Sequence, residues 1–236
     1  ACSEDLDVVV RSQQVEQLSA NQGKQVIIKV YCNGSEGVVS TTQSDFLSIK
    51  KACDKACDIA KFTSYDKCMG LVDRHFLIHN NVQLNFQAEY LWQKTLADII
   101  GQAKKIEAYA LDSKKIESCE SSEINCYRNN IWQGNSLGLS IKFASTSYSA
   151  SVTCVAADKD RLARDYSYSS SRNAGQLVAP EVLATKAVQR TISRVGAVSV
   201  KEQAVPVLFS NELSRTLLGY FARAISGNLI YKKSSV

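Results

Sequence analysis

The sequence NELSRTLLGYFARAIS, Asn211–Ser226, carries the clearest helical pattern in the last quarter of the chain, Pro180–Val236. Its apolar residues recur every three or four positions, as they do on one face of an amphipathic helix. Ser210 before it is a favourable amino-terminal cap, and Gly227 after it favours an end. The predicted helix presents one apolar face, formed by Leu213, Leu217, Leu218, Phe221, Ala224 and Ile225.

A second helix and a strand are predicted just before this stretch. Pro180 suits the first helical position, where its missing N–H is no loss, and Gly196 suits the end. Between them the apolar residues again follow helical spacing. The short apolar run Val205–Phe209 predicts a strand with Pro206 near its start. The last quarter is thus predicted to run helix, strand, helix.

The amino-terminal part alternates apolar and polar residues, which is typical of half-buried strands. Residues 5–42 predict an antiparallel meander of three or four strands, with turns at Asn21–Gly23 and Asn33–Ser35. A helix is predicted from Phe46 to Phe62, capped by Ser44 or Asp45.

The middle of the chain predicts a long helix followed by a second sheet. Residues 63–88 form a connector with a short strand at Val82–Phe86, and an apolar stripe predicts a helix from Glu89 to about Ala110. From Lys115 to Asn173 the pattern is again that of strands, rich in Ser, Thr and Tyr. Turns are predicted at Asn129–Asn130, Gly134–Asn135 and Asp158–Asp160.

These elements predict an α+β fold of antiparallel β-meanders flanked by two or three long helices. Three parts are expected. Residues 1–70 hold the first meander and its helix; residues 71–197 hold the long helix, the second sheet and a further helix. Residues 198–236 begin an incomplete carboxy-terminal domain.

Composition favours an ordinary globular protein, because 45% of the residues are apolar and 22% are charged. The net charge of +5 is scattered along the chain, which argues against a nucleic-acid binder. Lys186, Arg190 and Arg194 are spaced to share one helix face, and a solvated outer face is the favoured interpretation. No apolar run is long enough to predict a transmembrane helix.

The cysteines follow no disulfide pattern, and a chain of this length can bury a core without disulfides. Free thiols in a reducing compartment are the better interpretation, so we expect a cytoplasmic protein. The chain begins with Ala1, which leaves open an earlier segment that was removed. The eight cysteines are Cys2, Cys32, Cys53, Cys57, Cys68, Cys119, Cys126 and Cys154.

Cysteine and histidine pairs offer one metal-site hypothesis. Cys53 and Cys57 are spaced i, i+4 on a predicted helix before Cys68, and His75 and His79 share that spacing. The cysteines lie at or beside the apolar face, where free Cys behaves as a small buried hydrophobe, so a zinc site is disfavoured. No sequence pattern links either histidine to a Ser or Cys nucleophile. The carboxylates Glu117, Glu120 and Glu123 are best explained as solvated, and Gly134-x-x-x-Gly138 as a turn.

An ordered series of segments resembles the PmbA (TldE) branch of the TldD/PmbA family, also called modulators of DNA gyrase. The series includes RLARDYSYSSSR (161–172), the Pro180–Gly196 helix, VPVLF (205–209) and LLGYFARAISGNLIYKKSS (217–235). The resemblance runs from VVVRSQQVEQLSANQGKQ (8–25) to the end of the chain. It covers the amino-terminal half of the usual family length.

The resemblance implies where a metal site belongs and why this chain lacks it. In the TldD branch, the matching helix carries His-Glu-x-x-x-His, in which two imidazoles grip one zinc ion and the Glu acts as general base. Matched at Leu217–Leu218, the His positions fall on Gly219 and Ala224, and the Glu position falls on Tyr220. Gly and Ala cannot ligate a metal, and Tyr is a poor base at neutral pH. The resemblance thus implies no catalytic, metal-binding or cofactor-binding residue on this chain.

The implied function is that of the metal-free subunit of a TldD/TldE-type cytoplasmic peptidase that acts on unfolded peptides. Its expected partners are a zinc-bearing TldD-like subunit, the peptide substrate and a second copy of this chain; a membrane is not expected, and nucleic acid is disfavoured. Two alternatives stay open: a metallopeptidase in its own right through a further carboxy-terminal half, and a peptide-binding or gyrase-linked modulator without catalysis. Exposed apolar surface or association is expected on Leu217, Phe221 and Ile225.

Overall fold

The computed structural model describes residues 1–77, 95–158 and 161–235. It confirms the α+β class. The strands are β1 (Cys2–Arg11), β2 (Gln14–Lys24), β3 (Val26–Cys32), β4 (Ser35–Thr41), β5 (Ser118–Gly134), β6 (Ser140–Asp158) and β7 (Arg161–Ser171). The helices are α1 (Phe46–Phe62), α2 (Leu96–Leu111), α3 (Pro180–Arg194), α4 (Asn211–Ala224) and α5 (Gly227–Tyr231).

Five antiparallel strands form the main sheet, in the order β2-β1-β5-β6-β7. Alternate residues point to one face, where α2 and α3 pack and exclude water. That layer holds the core, which is built mainly from Ala, Val, Ile, Leu and Cys. Examples are Leu6, Val8, Ile124, Ala150, Val152 and Leu183. The opposite face of the sheet carries the polar members of the alternation.

The first four strands are divided between two sheets and do not form one meander. β1 and β2 belong to the main sheet, whereas β3 and β4 pair only with each other among the described residues. The turn predicted at Asn21–Gly23 is wrong, because these residues lie inside β2 and pair with β1. The first hairpin turns instead at Ser12 and Gln13, whose φ angles are 52° and 59°. Asn33–Gly34 does form the predicted turn, with φ angles of 49° and 76°.

Helix α1 has the predicted bounds and packs on the β3–β4 hairpin. Asp45 caps it by accepting a hydrogen bond from the Ser48 N–H at 3.0 Å, and this bond lowers the pKa of the Asp45 carboxyl group. The helix and strand approach closely at Gly37. A Cβ atom there would lie 1.9 Å from the Ala56 carbonyl oxygen, so only glycine fits.

Helix α2 begins at a capping box in which the Thr95 and Asp98 side chains accept from each other's backbone N–H. The predicted start at Glu89 and the predicted strand Val82–Phe86 lie outside the described residues. In the second sheet, Gly134–Asn135 begins a turn as predicted. The turn predicted at Asn129–Asn130 is wrong: both residues are paired with β1 and β6 inside β5. Most of the turn predicted at Asp158–Asp160 lies outside the described residues.

The helices of the last quarter are confirmed, but its strand is not. Pro180 opens α3, and Ser210 caps α4. Residues 205–209 have no strand structure, since a strand needs a hydrogen-bonded neighbour and the described residues supply none there. Gly227 begins the short helix α5, which the sequence analysis did not predict.

Two compact units account for the internal contacts, Ala1–Ala197 and Val198–Val236. The first contains the core. In the second, no described residue is buried. The predicted boundary near residue 70 stays a prediction, although β1, β2 and β5 share one sheet across it.

Candidate functional site

Helix α4 carries the positions that the family resemblance assigns to a metal motif. The Ser210 hydroxyl accepts from the Leu213 N–H at 3.4 Å and fixes the start of the helix. Gly219 faces open space, because an added Cβ atom would meet nothing within 4 Å, and the Tyr220 side chain is exposed. Gly219 has no side chain, Tyr220 offers only a phenol and Ala224 only a methyl group. This is a poor donor set for zinc. Residues Gly219, Tyr220 and Ala224 therefore do not fit the metal of the TldD motif.

The cysteine and histidine candidates are not brought together as a metal site. The buried residues of α1 are Ala52, Ala56 and Ala60, which places Cys53 half-buried and Cys57 exposed beside that face. Cys68 is exposed, and the His75 ring lies 3.9 Å from the Phe76 ring. His79 lies outside the described residues. Across the three described ranges, no group of three His, Cys, Asp or Glu residues is arranged to hold a metal ion.

The acidic candidates are engaged in local contacts. Glu120 forms an ion pair with Arg164 on β7, and Glu123 accepts a hydrogen bond from Ser121 at 2.7 Å. Glu117 is exposed and donates its backbone N–H to the Val155 carbonyl. None of these contacts pairs two carboxylates for acid–base chemistry.

Two of the three basic residues on α3 fasten this helix to β7. Arg194 donates to the Asp165 carboxylate at 2.5 Å, and Arg190 donates to the Tyr166 carbonyl at 3.2 Å. Burial alone raises the pKa of Asp165, but the Arg194 hydrogen bond and the nearby guanidinium charges outweigh it and hold the pKa below its usual range. These contacts cover part of the outer edge of β7. The favoured interpretation of a purely solvated stripe is therefore incomplete.

A buried carboxylate on α2 was missed by the sequence analysis. Glu107 is fully buried, and its two oxygens accept from the Ser12 and Gln13 N–H groups, each at 2.7 Å. The Gln13 side chain donates to Glu107 at 2.8 Å and to the Lys104 carbonyl at 3.0 Å. A signal was present in the sequence, because Glu107 falls between Ala103 and Ala110 on the apolar stripe of α2. Its contacts serve the hairpin turn, so we assign it a structural part.

The face of the main sheet opposite α2 and α3 is rich in hydroxyl, amide and carboxylate groups. Asn21 donates to Asp5 at 2.8 Å, and Asn125 donates to Asp7, so some polar side chains on this face are hydrogen-bonded to one another. Tyr166 and Tyr168 of β7 stack at 6.3 Å and are about half exposed. These side chains can hydrogen-bond to solvent, whereas a strand-like peptide would have to add to one of the edge strands, β2 or β7.

Two family models match the chain in order. Residues 3–60 match domain 1 of the PmbA/TldA metallopeptidases, and residues 89–195 match their central domain. The chain belongs to the PmbA/TldD family. The first match spans β1 to α1, and the second includes α2, β5, β6, β7 and α3, so the family assignment covers the architecture of the first compact unit.

Curated relatives agree with this family. The chain is 34% identical over 231 residues to the metalloprotease PmbA homologue of Buchnera aphidicola subsp. Acyrthosiphon pisum and 30% identical over 233 residues to metalloprotease PmbA of Escherichia coli O157:H7. Each alignment covers 98% of this chain and 51% of the relative, so the chain spans about half the length of these curated relatives.

The fold is shared with solved PmbA/TldD proteins. A protein from Bacteroides thetaiotaomicron, described as a proposed modulator of DNA gyrase, superimposes with a TM-score of 0.84 at 19% identity, over 98% of this chain and 53% of that one. TldE from Thermococcus kodakarensis superimposes with a TM-score of 0.77 at 17% identity, over 98% of this chain and 52% of that one. Identities this low establish the fold alone. No helix in the described ranges has the length and apolar character needed to cross a membrane.

Proposed function

We propose that this chain is part of the metal-free subunit of a cytoplasmic TldD/TldE-type metallopeptidase that degrades or processes unfolded peptides. The observation that carries the proposal is the composition of α4. Its motif-equivalent positions hold Gly219, Tyr220 and Ala224, and none of them supplies an imidazole or a carboxylate. Membership in a metallopeptidase-like family supports the reaction class.

Zinc chemistry belongs, in this proposal, to a TldD-like partner. Metal-dependent hydrolysis requires a metal-bound water and a nearby base, and the motif-equivalent positions of α4 offer neither a ligand pair nor a carboxylate base. This subunit would contribute scaffold and part of the path that leads an extended peptide to the partner. The main sheet ends in the edge strands β2 and β7, which supports that part, because an extended peptide can add to a sheet edge through backbone hydrogen bonds without fixing its sequence.

The exposed apolar residues in and just after α4 form a surface that a further part of the fold or another chain would cover. Leu217, Leu218, Phe221 and Ile225 are each about half exposed or more. A soluble protein seldom leaves so contiguous an apolar stripe uncovered. The proposed partner for the assembly is the TldD-like subunit.

The test is a measurement of zinc and peptidase activity on separately purified and mixed subunits. A tagged copy of this protein is used to isolate its complex from the source cell, and a chain with His-Glu-x-x-x-His is sought by mass spectrometry. We expect stoichiometric zinc in the complex, none on this protein alone, and hydrolysis of an unfolded peptide only when both are present.

A matched variant tests whether α4 takes part in zinc binding or catalysis. Tyr220→Phe keeps the ring and removes the only side-chain oxygen among the three motif positions. We expect the zinc content and kcat of the complex to stay within about twofold of the unmodified complex, because no barrier-lowering contact is lost. Stoichiometric zinc on this protein alone, lost in Tyr220→Phe, would overturn the proposal.

A second candidate is a metallopeptidase in its own right. The observation that favours it is the name metalloprotease carried by PmbA relatives, of which the chain spans about half. Zinc and peptidase activity in a full-length homologue purified without any TldD-like chain would support this candidate. A complex that contains gyrase subunits and no His-Glu-x-x-x-His chain would instead favour a gyrase-linked modulator without catalysis. The Bacteroides thetaiotaomicron protein is described as a proposed modulator of DNA gyrase.

A further inference from the structure

Two cysteines lie directly opposite each other in the two longest strands of the main sheet. Cys119 of β5 pairs with Cys154 of β6 in the strand register. Both side chains are buried. Side chains at directly opposite positions of an antiparallel pair have Cβ atoms about 4.5–5.5 Å apart, against about 3.5–4.5 Å in a disulfide, so an approach of about 1 Å would allow the bond.

No other cysteine of the described residues shares this arrangement. Cys126, on the same face of β5, is also buried, but it lies opposite Leu6 and Tyr148. Cys2, Cys32, Cys57 and Cys68 are exposed, and Cys53 is half-buried. Cys126 therefore provides an internal control for burial without an opposing thiol.

We propose that Cys119 and Cys154 are a latent disulfide site that a small peroxide or a low-molecular-weight disulfide oxidises. With hydrogen peroxide, the thiolate of one cysteine attacks one peroxide oxygen, breaks the O–O bond and becomes a sulfenic acid, while the second oxygen leaves as water after protonation. The other cysteine then gives up its proton, its sulfur attacks the sulfenic sulfur, and hydroxide leaves and is protonated to water. Two thiols lose two electrons and two protons, and one peroxide yields two waters.

Either sulfur can react first, because both thiols are buried and lie directly opposite each other. The thiolate is the nucleophile, so the cysteine that loses its proton first attacks the oxidant and the other closes the bond. Burial makes the reaction depend on local opening of the sheet, so oxidation is slower than at an exposed thiol.

The cross-link would join the neighbouring strands β5 and β6 of the five-stranded sheet. It would close a loop that contains most of β5 and β6, and it would restrict the unfolded chain more than the folded one. Oxidation should therefore raise Tm by several degrees without moving the strands.

The experiment uses sequential thiol labelling on the whole protein. Accessible thiols are first blocked with iodoacetamide, and the protein is then treated with hydrogen peroxide. After denaturation, remaining thiols are labelled with a heavier maleimide, and peptides cut at glutamate, lysine and arginine are mapped by mass spectrometry. Glu120 and Glu123 separate Cys119 from Cys126, and Arg128 and Lys142 separate Cys126 from Cys154. We expect a linked Cys119–Cys154 peptide lighter by two hydrogens and a maleimide label on Cys126.

Matched variants and a refolding arm keep the test decisive. Cys126→Ala should form the same link, whereas Cys154→Ala should leave Cys119 as a labelled thiol. In the refolding arm, the blocked protein is denatured and refolded in a glutathione redox buffer, so the burial of the native thiols does not limit the reaction. Recovery of Cys119 and Cys154 as free thiols in that buffer, or links that involve Cys126 at equal yield, would overturn the proposal.

Discussion

At the scale of single residues, one buried carboxylate sets the shape of the first hairpin. Turns of two residues with positive φ usually contain Asn and Gly, which adopt that region at low cost. Here the turn is made by Ser12 and Gln13, and both N–H groups donate to Glu107. The hydrogen bonds offset the backbone strain, so the turn does not need its usual residues.

Replacing this acceptor tests that account. In Glu107→Gln, an amide donor takes the place of one carboxylate oxygen and leaves a buried N–H without a partner, so we expect a loss of about 3 kcal/mol in the free energy of unfolding. Urea unfolding followed by circular dichroism measures it. Ser12→Gly is the control: glycine adopts a φ of 52° without strain and should match or exceed the parent stability. An unchanged midpoint in Glu107→Gln would contradict the assignment.

Two buried serines form a natural pair for measuring the value of a hydrogen bond. Ser122 donates to the Ala103 carbonyl at 2.8 Å, whereas the Ser167 hydroxyl is buried without a hydrogen-bond partner in the described residues. We expect Ser122→Ala to lose about 1 kcal/mol of unfolding free energy and Ser167→Ala to be neutral or stabilising, since only the first removes a satisfied bond. Equal losses in the two variants would show that packing, and not hydrogen bonding, dominates at both sites. Chemical denaturation of the two proteins side by side gives the comparison.

At the scale of secondary-structure elements, the close contact between α1 and β4 requires that residue 37 is a glycine, which has no side chain. A Cβ atom at Gly37 would meet backbone atoms of Ala56 and Ala60, which cannot rotate away. Gly37→Ala should therefore push α1 off its hairpin and cost about 3 kcal/mol in unfolding free energy. Gly101→Ala in α2 is the matched control, because a Cβ atom there meets nothing within 4 Å. It should gain about 1 kcal/mol through helix propensity alone. Thermal unfolding of both variants would reveal opposite shifts, and a loss in both would refute the close-approach argument.

The link between α3 and β7 predicts a specific pH dependence. Asp165 has a folded pKa below its ordinary value of 3.8, so its ion pair stabilises the fold above that value and is lost as pH falls through the lower folded pKa. Because the Arg194 side chain is largely exposed, the contribution is about 1 kcal/mol. Asp165→Asn should lower the unfolding free energy at pH 7 and reduce its decline below about pH 4. Urea titrations at pH 7 and pH 3 measure both effects; equal losses at the two pH values would contradict the ion-pair explanation.

Local signals predicted the helices better than the strand pairing. Asp45, Pro180 and Ser210 mark helix starts through contacts within a few residues, and all three starts are confirmed. Pairing depends on distant residues, so the turns assigned to Asn21–Gly23 and Asn129–Asn130 were wrong. Val205–Phe209 has the composition of a strand but no described partner, and composition alone does not supply one.

At the scale of the whole molecule, stability should reside in the first compact unit. The core residues all lie within Ala1–Ala197, and no described residue of the second unit is buried. A chain that ends at Ala197 should keep the Tm of the full chain within a few degrees, because little buried apolar area is lost. Differential scanning calorimetry of the two chains provides the measurement. A truncated chain that is unfolded at 25 °C would show that residues 198–236 supply part of the core.

The sequence predicted the α+β class and the family for the whole chain, but it described the site only by comparison. Gly219, Tyr220 and Ala224 have no pattern of their own, and they gain meaning only when α4 is aligned with a metal-bearing relative. The sequence shows Cys119 and Cys154, but it does not show that they lie opposite each other in the sheet. That pairing depends on a β-bulge that shifts the strand register between Cys119 and Ser121. A residue insertion of this kind leaves no periodic signal.

The contact between the first turn and Glu107 also has a consequence for biosynthesis. The turn emerges from the ribosome first, but its acceptor lies 95 residues further along the chain. At ordinary translation rates that segment takes roughly 5–20 s to make. During this interval two residues in the left-handed region have no compensating bond, at a cost of about 1 kcal/mol or more each. The β1–β2 hairpin is therefore expected to settle only after α2 is synthesised.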